Sequence, residues 1–173
     1  MKPETEPSAA FRWPVRVYFE DTDAGGVVYH ATYLNFLERA RTEWLRALGF
    51  EQDRLREEQG VLFTVRRLGI EYRSPARFND QLTVTSSLSG HGGASLDFEQ
   101  TVWRVADGGL CCRASVNVAC VDAVRMRPTR IPEAILDAVA GIASGPVSGL
   151  GSIRGSIRGS ISDAVQSEGI HGL

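Results

Sequence analysis

The chain has 173 residues, of which 43% are hydrophobic and 23% charged, and its formal net charge is −2. This length and composition are typical of one soluble globular domain with room for a substantial core. The near-neutral charge excludes a global attraction to nucleic acid. The sequence also contains no basic stripe with interleaved aromatic residues, the pattern that indicates nucleic-acid binding. No apolar run approaches the ~18 residues that a membrane-spanning helix needs, so no integral membrane segment is expected.

The N-terminal residues 1–10 are polar, contain two prolines and lack periodicity, which predicts a disordered segment. They include no apolar stretch of the signal-peptide type, so we expect a cytoplasmic protein. The three cysteines fit that location, since an odd number cannot all be paired in disulfides within the chain. Cys111 and Cys112 are neighbours on a predicted strand and point to opposite faces, so they are poorly placed to share a metal ion. Together with Cys120 they are predicted to be small core or surface residues.

Strict alternation predicts a half-buried strand over residues 11–19. Its apolar face consists of Phe11, Trp13, Val15, Val17 and Phe19. Pro14 indicates an edge position or a bulge near the start of this strand, because proline cannot donate a ladder hydrogen bond.

A change of hydrophobic period to three and four residues predicts an amphipathic helix of about five turns over residues 31–48. Its apolar stripe consists of Tyr33, Leu37, Ala40, Trp44 and Leu48, broadened by Leu34 and Leu45. Gly49 is expected to end this helix, since glycine adopts the left-handed conformation of a C′ residue. The charged residues 51–60 predict a short second helix ended by Gly60.

Four more strands are predicted at about residues 61–73, 80–89, 94–105 and 110–122. In the first of them the apolar alternation shifts between Val65 and Leu68, which indicates a bulge or a strand covered on both faces. Ser74-Pro75 ends that strand, and residues 90–93 predict a tight connection. Asp107-Gly108-Gly109 is a strong hairpin signal. The short connections imply antiparallel pairing.

The C-terminal region has two parts, a short predicted helix and a tail of low complexity. Pro132 is typical of the first turn of a short helix, predicted from Glu133 to Val139. Beyond Gly141 the composition collapses to Gly, Ser, Ile and Arg, with GSIR at 151–154 and again at 155–158. Frequent glycines oppose a helix there by about 1 kcal/mol each, so a flexible tail is expected.

The predicted organisation is therefore a disordered segment 1–10, a domain 11–140 and a flexible tail 141–173. The order of elements predicts an α+β domain in which one long helix covers the apolar face of a five-stranded antiparallel sheet. The other sheet face is expected to meet a second subunit or solvent.

The groups that could carry out chemistry are concentrated in the stretch just before and at the start of the long helix. Glycines let the backbone approach a ligand, and a helix start offers free N–H groups with a partial positive charge. Such a terminus suits the oxyanion of an acyl transfer, while a nearby carboxylate can attack a carbonyl or activate water. Spacing does not choose between Asp21 and Asp23, which share a face of an extended chain. Both could instead make local Asx hydrogen bonds, and His30 could be an ordinary first-turn residue.

The segment EDTDAGGVVYHATYLNFLERARTEWLRALG at residues 20–49 resembles the small acyl-CoA thioesterases of the hotdog fold. The pattern D-x-D-x-x-G-x-V-Y-H-x-x-Y is similar to the branch associated with the bacterial Tol–Pal envelope system, a relative of the 4-hydroxybenzoyl-CoA thioesterases. The likeness covers about residues 12–137 and includes Glu71-Tyr72 and Pro75-Ala76-Arg77. It implies a long central helix wrapped by a five-stranded antiparallel sheet, in agreement with the predicted order of elements.

The resemblance implies roles that spacing left open. It matches Asp23 to the catalytic aspartate and leaves Asp21 as a structural residue. It matches His30 to a histidine implicated in activity, and the His30 main-chain N–H to the group that polarises the thioester carbonyl. Residues expected to contact substrate are Gly26, Val27, Tyr29, Tyr33, Arg73 and Arg77. The chain departs from the branch at Thr32, where asparagine is common, and at residues 90–93, which lack a basic residue often found there.

The implied reaction is hydrolysis of an acyl-CoA or acyl-carrier-protein thioester to free acid and thiol, with no metal or cofactor. Whether Asp23 is the nucleophile or a general base stays open, as does the acyl chain length. Family members are homodimers joined edge to edge, commonly paired again into homotetramers, with the site at the subunit boundary. One alternative is a non-catalytic acyl-CoA or acyl-carrier-protein binding module, which the intact Asp23 and His30 argue against. Another is a hotdog dehydratase, which would carry a proline-rich motif after the histidine.

Overall fold

The computed structural model describes residues 10–144, so most of the predicted N-terminal segment and the tail from 145 onward lie outside the described residues. The elements are β1 (Phe11–Arg16), α1 (Thr32–Ala47), α2 (Gln52–Gln59), β2 (Val61–Tyr72), β3 (Gln81–His91), β4 (Ser95–Arg104), β5 (Gly109–Asp122) and α3 (Glu133–Ser144). The strands form one antiparallel sheet in the order β1-β3-β4-β5-β2. This confirms the predicted α+β architecture of one long helix and five antiparallel strands.

The first strand is shorter than predicted. It ends at Arg16, and the chain then forms a 3₁₀ turn over Phe19–Asp21. The Tyr18 main-chain N–H donates to Asp21 Oδ2 at 2.8 Å and helps close this turn. The turn carries Phe19 off the sheet, so its side chain is 80% exposed. The prediction that Phe19 lies on the buried face is therefore wrong, because the strand period does not continue to that residue.

The long helix agrees with its prediction to within one residue at each end. Gly49, at φ +92°, and Phe50 end it by donating their N–H groups to the carbonyls of Arg46 at 2.9 Å and Leu45 at 3.2 Å. This is the Schellman pattern, in which glycine avoids the penalty of a left-handed backbone. The predicted stripe omitted Phe36, whose side chain is only 1% exposed.

A buried glutamine fastens α1 to the middle of the sheet. Gln100, in β4, is fully buried, and its Nε2 donates to the Leu37 carbonyl at 3.0 Å and to Ser86 Oγ at 2.8 Å. Its Oε1 accepts a hydrogen bond from Arg41 Nη1 at 2.8 Å. One polar side chain is thus satisfied by α1 and β3 together, which fixes the position of the helix on the sheet.

The remaining strands differ from their predictions mainly at the ends. A register shift between Val65 and Arg67 confirms the bulge in β2. β3 continues through Gly90 and His91, which were predicted to belong to the connection, because a second bulge after Leu88 keeps the strand paired. The strand β1 lies at one edge of the sheet, as its proline indicated, and β2 lies at the other.

The C-terminal helix is longer than predicted and runs over Glu133–Ser144, with Ile135 and Val139 buried in the core. The three cysteines are buried and form no disulfide, in agreement with their prediction as small core residues. Within residues 10–144, no helix is both long and apolar enough to cross a membrane.

We predict that Gln100→Leu lowers the free energy of unfolding by about 1–3 kcal/mol, since Ser86 and Arg41 lose a partner inside the protein. The double variant Arg41→Leu with Gln100→Leu should lose less than the sum of the two single changes. Urea denaturation measures both values. Gln81→Leu, on an exposed glutamine of β3, is the matched control and should change stability by less than about 0.5 kcal/mol. Additive losses would contradict the coupling.

Candidate active site

The chain between β1 and α1 forms a small closed loop. The Asp23 N–H donates to the Val27 carbonyl at 3.0 Å, and the Tyr29 N–H donates to the Asp21 carbonyl at 2.9 Å. Asp21 is 8% exposed and its carboxylate closes the preceding turn, so its contacts are those of a structural residue. Gly26 has φ +72° at the tip of the loop, a conformation that favours glycine.

Asp23 presents its carboxylate to solvent at the tip of this loop. Its Oδ1 accepts a hydrogen bond from the Gly25 N–H at 2.8 Å, which is the local Asx interaction that the sequence left open. A Cβ at position 25 would lie 3.0 Å from the same oxygen, so a side chain there would crowd the carboxylate in this position. The second carboxylate oxygen has no hydrogen-bond partner among residues 10–144.

The entrance of α1 offers free donors. Ala31 is the N-cap and provides no side-chain cap. The Thr32 N–H donates to the Tyr29 carbonyl at 2.8 Å, and the Leu34 N–H donates to the Ala31 carbonyl at 3.0 Å. In the described part of the chain, the N–H groups of His30 and Ala31 donate no hydrogen bond. Two unpaired donors therefore stand at the positive end of a 16-residue helix, an arrangement that favours a negatively charged oxygen.

A cavity of about 270 Å³ opens beside this entrance. It is lined by Val28, His30, Tyr33, Tyr72, Arg73, Ser74 and Pro75. Of the residues predicted from the sequence, the structure brings His30, Tyr33 and Arg73 together here. The carboxylate predicted to be catalytic does not line this cavity within a single chain.

The other residues predicted to bind substrate do not line this cavity. Gly26 is exposed at the loop tip and Val27 is half-buried. The Tyr29 ring packs against the His30 ring with centroids 4.4 Å apart. Arg77 is exposed, and its main-chain N–H donates to Asp80 Oδ2 at 2.8 Å. Of the two predicted arginines, Arg73 alone lines the cavity, where its guanidinium also pairs with Glu71 at 3.1 Å.

Tyr33 lines the cavity and is 3% exposed. Its Oη accepts a hydrogen bond from the Ala76 N–H at 3.0 Å, and the Ala76 carbonyl accepts one from the Val28 N–H at 2.8 Å. Burial raises the pKa of the Tyr33 phenol from 10.0 to about 12, so this hydroxyl stays neutral in the working range of most enzymes.

Sequence reasoning assigned no part in the site to four lining residues, which are Val28, Tyr72, Ser74 and Pro75. Val28, Tyr72 and Pro75 lie within segments that carry the family resemblance, and that resemblance was their only signal for a part in the site. Their meeting with His30 depends on the end of β2 lying opposite the start of α1, which neither periodicity nor spacing provides.

A larger cavity of about 370 Å³ lies beside β1, away from the helix entrance. Its lining residues are Pro14, Val15, Arg16, Gln81, Leu82, Thr83 and Val105. Its lining has no carboxylate, histidine or cysteine, so the hydroxyl of Thr83 has no general base beside it among these residues. The cavity at the helix entrance is the candidate active site because His30 lines it and the free N–H groups of His30 and Ala31 lie beside it.

Comparison with known proteins relates this chain to thioesterases. Residues 17–139 match the model of the thioesterase-like superfamily. The acyl-CoA thioester hydrolase YbgC of Escherichia coli is 49% identical over 126 residues, covering 73% of this chain and 92% of that protein. The acyl-CoA thioesterase YbgC of Haemophilus influenzae is 50% identical over 125 residues, covering 72% and 90%. The crystal structure of a probable thioesterase from Bartonella henselae superposes with a TM-score of 0.66 at 34% identity, covering 71% of this chain and 99% of that one.

We predict that stability falls between about pH 10 and pH 12 partly through Tyr33. Its folded-state pKa is raised to about 12, so the native state keeps a proton that the unfolded state loses, and unfolding is favoured as the pH rises. Denaturation at pH 8, 10 and 11.5 measures this loss. Burial also raises the pKa of the Cys112 thiol, which is present in both proteins. The contribution of Tyr33 is therefore the difference between the wild type and Tyr33→Phe in how the free energy of unfolding changes with pH. Identical pH dependence in the two proteins would contradict the assignment.

Proposed function

The chain belongs to the thioesterase-like superfamily, and from that membership we propose that it hydrolyses acyl-CoA thioesters to a free acid and the CoA thiol. The observation that carries the proposal is the pair of free N–H groups at His30 and Ala31, beside the cavity that His30 lines. Donors in this position stabilise the charge that develops on a thioester oxygen when the carbonyl carbon is attacked.

Asp23 acts either as the nucleophile or as the general base. In the first, its free oxygen attacks the carbonyl carbon, the carbon–sulfur bond breaks, and water hydrolyses the resulting mixed anhydride. In the second, Asp23 takes a proton from water, whose oxygen attacks the carbon directly. The departing thiolate takes up a proton in both routes, and His30, whose ring lies at the cavity, is placed to position the water or the leaving group.

A second copy of the chain is part of this proposal. β2 is a 12-residue edge strand whose Val65 and Tyr72 are 45% and 43% exposed. Long exposed edges readily pair with another strand. Pairing of two β2 strands would extend the sheet into a homodimer and bring the partner near each cavity, whose lining includes Tyr72 at the end of β2. We infer that Asp23 of one subunit works at a site completed by both, in a homodimer or homotetramer.

The substrate is held by groups of two kinds. Arg73 and Arg77 are the candidates for the CoA phosphates, and Arg77 is the more available because Arg73 is paired with Glu71. Tyr29 and the segment from Gly26 to Val27 border the approach to His30. An acyl carrier protein is a second possible thiol carrier. The high identity to YbgC proteins supports the Tol–Pal-associated branch, and the cytoplasmic location stays a prediction.

A non-catalytic acyl-CoA binding module is the competing interpretation. It would need the cavity and the cationic residues, but not an oriented carboxylate at the loop tip. The glycine that fixes Asp23 Oδ1 and the relationship to named thioester hydrolases favour the enzyme.

We predict that Asp23→Asn lowers kcat for acyl-CoA hydrolysis by at least about 100-fold, because the amide neither attacks nor takes a proton. Release of free thiol across acyl-CoAs of several chain lengths is the measurement. Glu20→Gln, which changes a neighbouring exposed carboxylate, is the matched control and should retain wild-type turnover. Unchanged kcat in Asp23→Asn would reject the role of this aspartate.

We predict that Val65→Lys on the β2 edge shifts the protein toward monomer and lowers activity with it, because paired edges would bring like charges together. Multi-angle light scattering and thiol release are measured on the same sample. Val124→Lys, at a 90% exposed valine in the turn after β5, is the matched control and should keep assembly and activity. A fully active wild-type monomer would contradict the shared site.

A further inference from the structure

A tyrosine from the end of β2 reaches the entrance of α1. The Tyr72 hydroxyl donates a hydrogen bond to the His30 main-chain carbonyl at 2.7 Å, joining residues 42 positions apart in the chain. Tyr72 also lines the cavity, and its ring packs edge-on against His30 and Tyr33 with centroids 6.4 Å and 5.7 Å away. The ring contacts hold the side chain in place, and the hydroxyl makes the only polar link between β2 and the helix entrance found in residues 10–144.

The carbonyl that Tyr72 holds is the one that the helix itself leaves free. The Tyr29 carbonyl accepts from the Thr32 N–H, and the Ala31 carbonyl accepts from the Leu34 N–H. The His30 carbonyl lies between them, before the N-cap, and has no main-chain donor in the described residues. The peptide unit between His30 and Ala31 is the centre of the turn that the Thr32 N–H and the Tyr29 carbonyl close, and among residues 10–144 the Tyr72 hydroxyl is the group that binds it directly.

That peptide unit carries one of the two free donors of the candidate site. A peptide bond is planar, so the His30 carbonyl and the Ala31 N–H turn together. The orientation of the same unit also sets the backbone rotation that joins His30 to the first turn of the helix. Holding the carbonyl therefore aims the Ala31 N–H and limits the rotation of the His30 main chain.

We propose that Tyr72 is a positioning residue for thioester hydrolysis, whose hydroxyl orients the His30–Ala31 peptide unit so that its N–H meets the developing oxyanion. This inference rests on the proposed function. A neutral hydroxyl is needed for the bond, and the partial burial of Tyr72 raises its pKa, which is the direction that favours the neutral form. A displacement of about 1 Å in such a donor can cost about 100-fold in rate.

The test removes the hydroxyl and keeps the ring. Tyr72→Phe should lower kcat for acyl-CoA about 10- to 100-fold, while KM and the Kd for a non-hydrolysable thioether analogue of acyl-CoA stay within about twofold. Tyr18→Phe changes an exposed tyrosine on the turn before the loop and should behave as the wild type. Thermal denaturation of each variant checks that the fold is retained.

A second readout does not depend on turnover. The sequence contains a single His-Ala pair, His30-Ala31, so labelling histidine with ¹³C at the carbonyl and alanine with ¹⁵N isolates one NMR signal. Tyr72→Phe should shift this signal, and Tyr18→Phe should not. Wild-type kcat in Tyr72→Phe, or an unmoved signal, would overturn the inference. A wild-type protein without any turnover would reject the proposed function instead, while the signal would still report whether Tyr72 orders the peptide.

Discussion

The site depends on one buried residue, Ala76, whose two main-chain groups join three segments. Its N–H binds the Tyr33 hydroxyl in α1, and its carbonyl accepts the N–H of Val28, at the end of the loop that carries Asp23. Ala76 itself is fully buried just after the end of β2. The loop, the helix and the chain leaving the sheet are therefore held at one point, and the cavity is the space that they enclose. A larger side chain at position 76 would separate all three.

The sequence predicted most of the fold because its signals were local. The period of 31–48, the glycine at 49 and the parity change after Val65 each depend on residues close together in the chain, and each agrees with the structure. The errors occur where local patterns end. Phe19 continues the alternation of β1 in the sequence, but the hydrogen bonds of a 3₁₀ turn override it. Gly90 and His91 suggest a turn, but a bulge keeps them in β3.

The candidate site was predicted less completely, for a physical reason. The motif from Asp21 to Tyr33 is contiguous, so its acid, glycines and helix start could be recognised together. The opposite wall comes from the end of β2, about 40 residues later, and sheet register decides that Tyr72 rather than a neighbour faces His30. Within one chain Asp23 does not line this cavity, and its placement beside a partner's cavity is a matter of assembly, which no pattern within a single sequence determines. The fold thus supplies an oriented helix entrance, and a second subunit is proposed to complete the chemistry around it.

The central claim is that the thioester carbonyl binds at the entrance of α1 with Asp23 beside its carbon. The most direct test is a crystal structure with a CoA analogue in which a methylene group replaces the thioester sulfur, so that the ketone survives. We predict a carbonyl oxygen within about 3.2 Å of the N–H nitrogen of His30 or Ala31, with an Asp23 carboxylate from one of the subunits at the carbonyl carbon or holding a water there. A ketone bound elsewhere, such as in the cavity beside β1, or a site with no Asp23 near the carbonyl, would contradict the account.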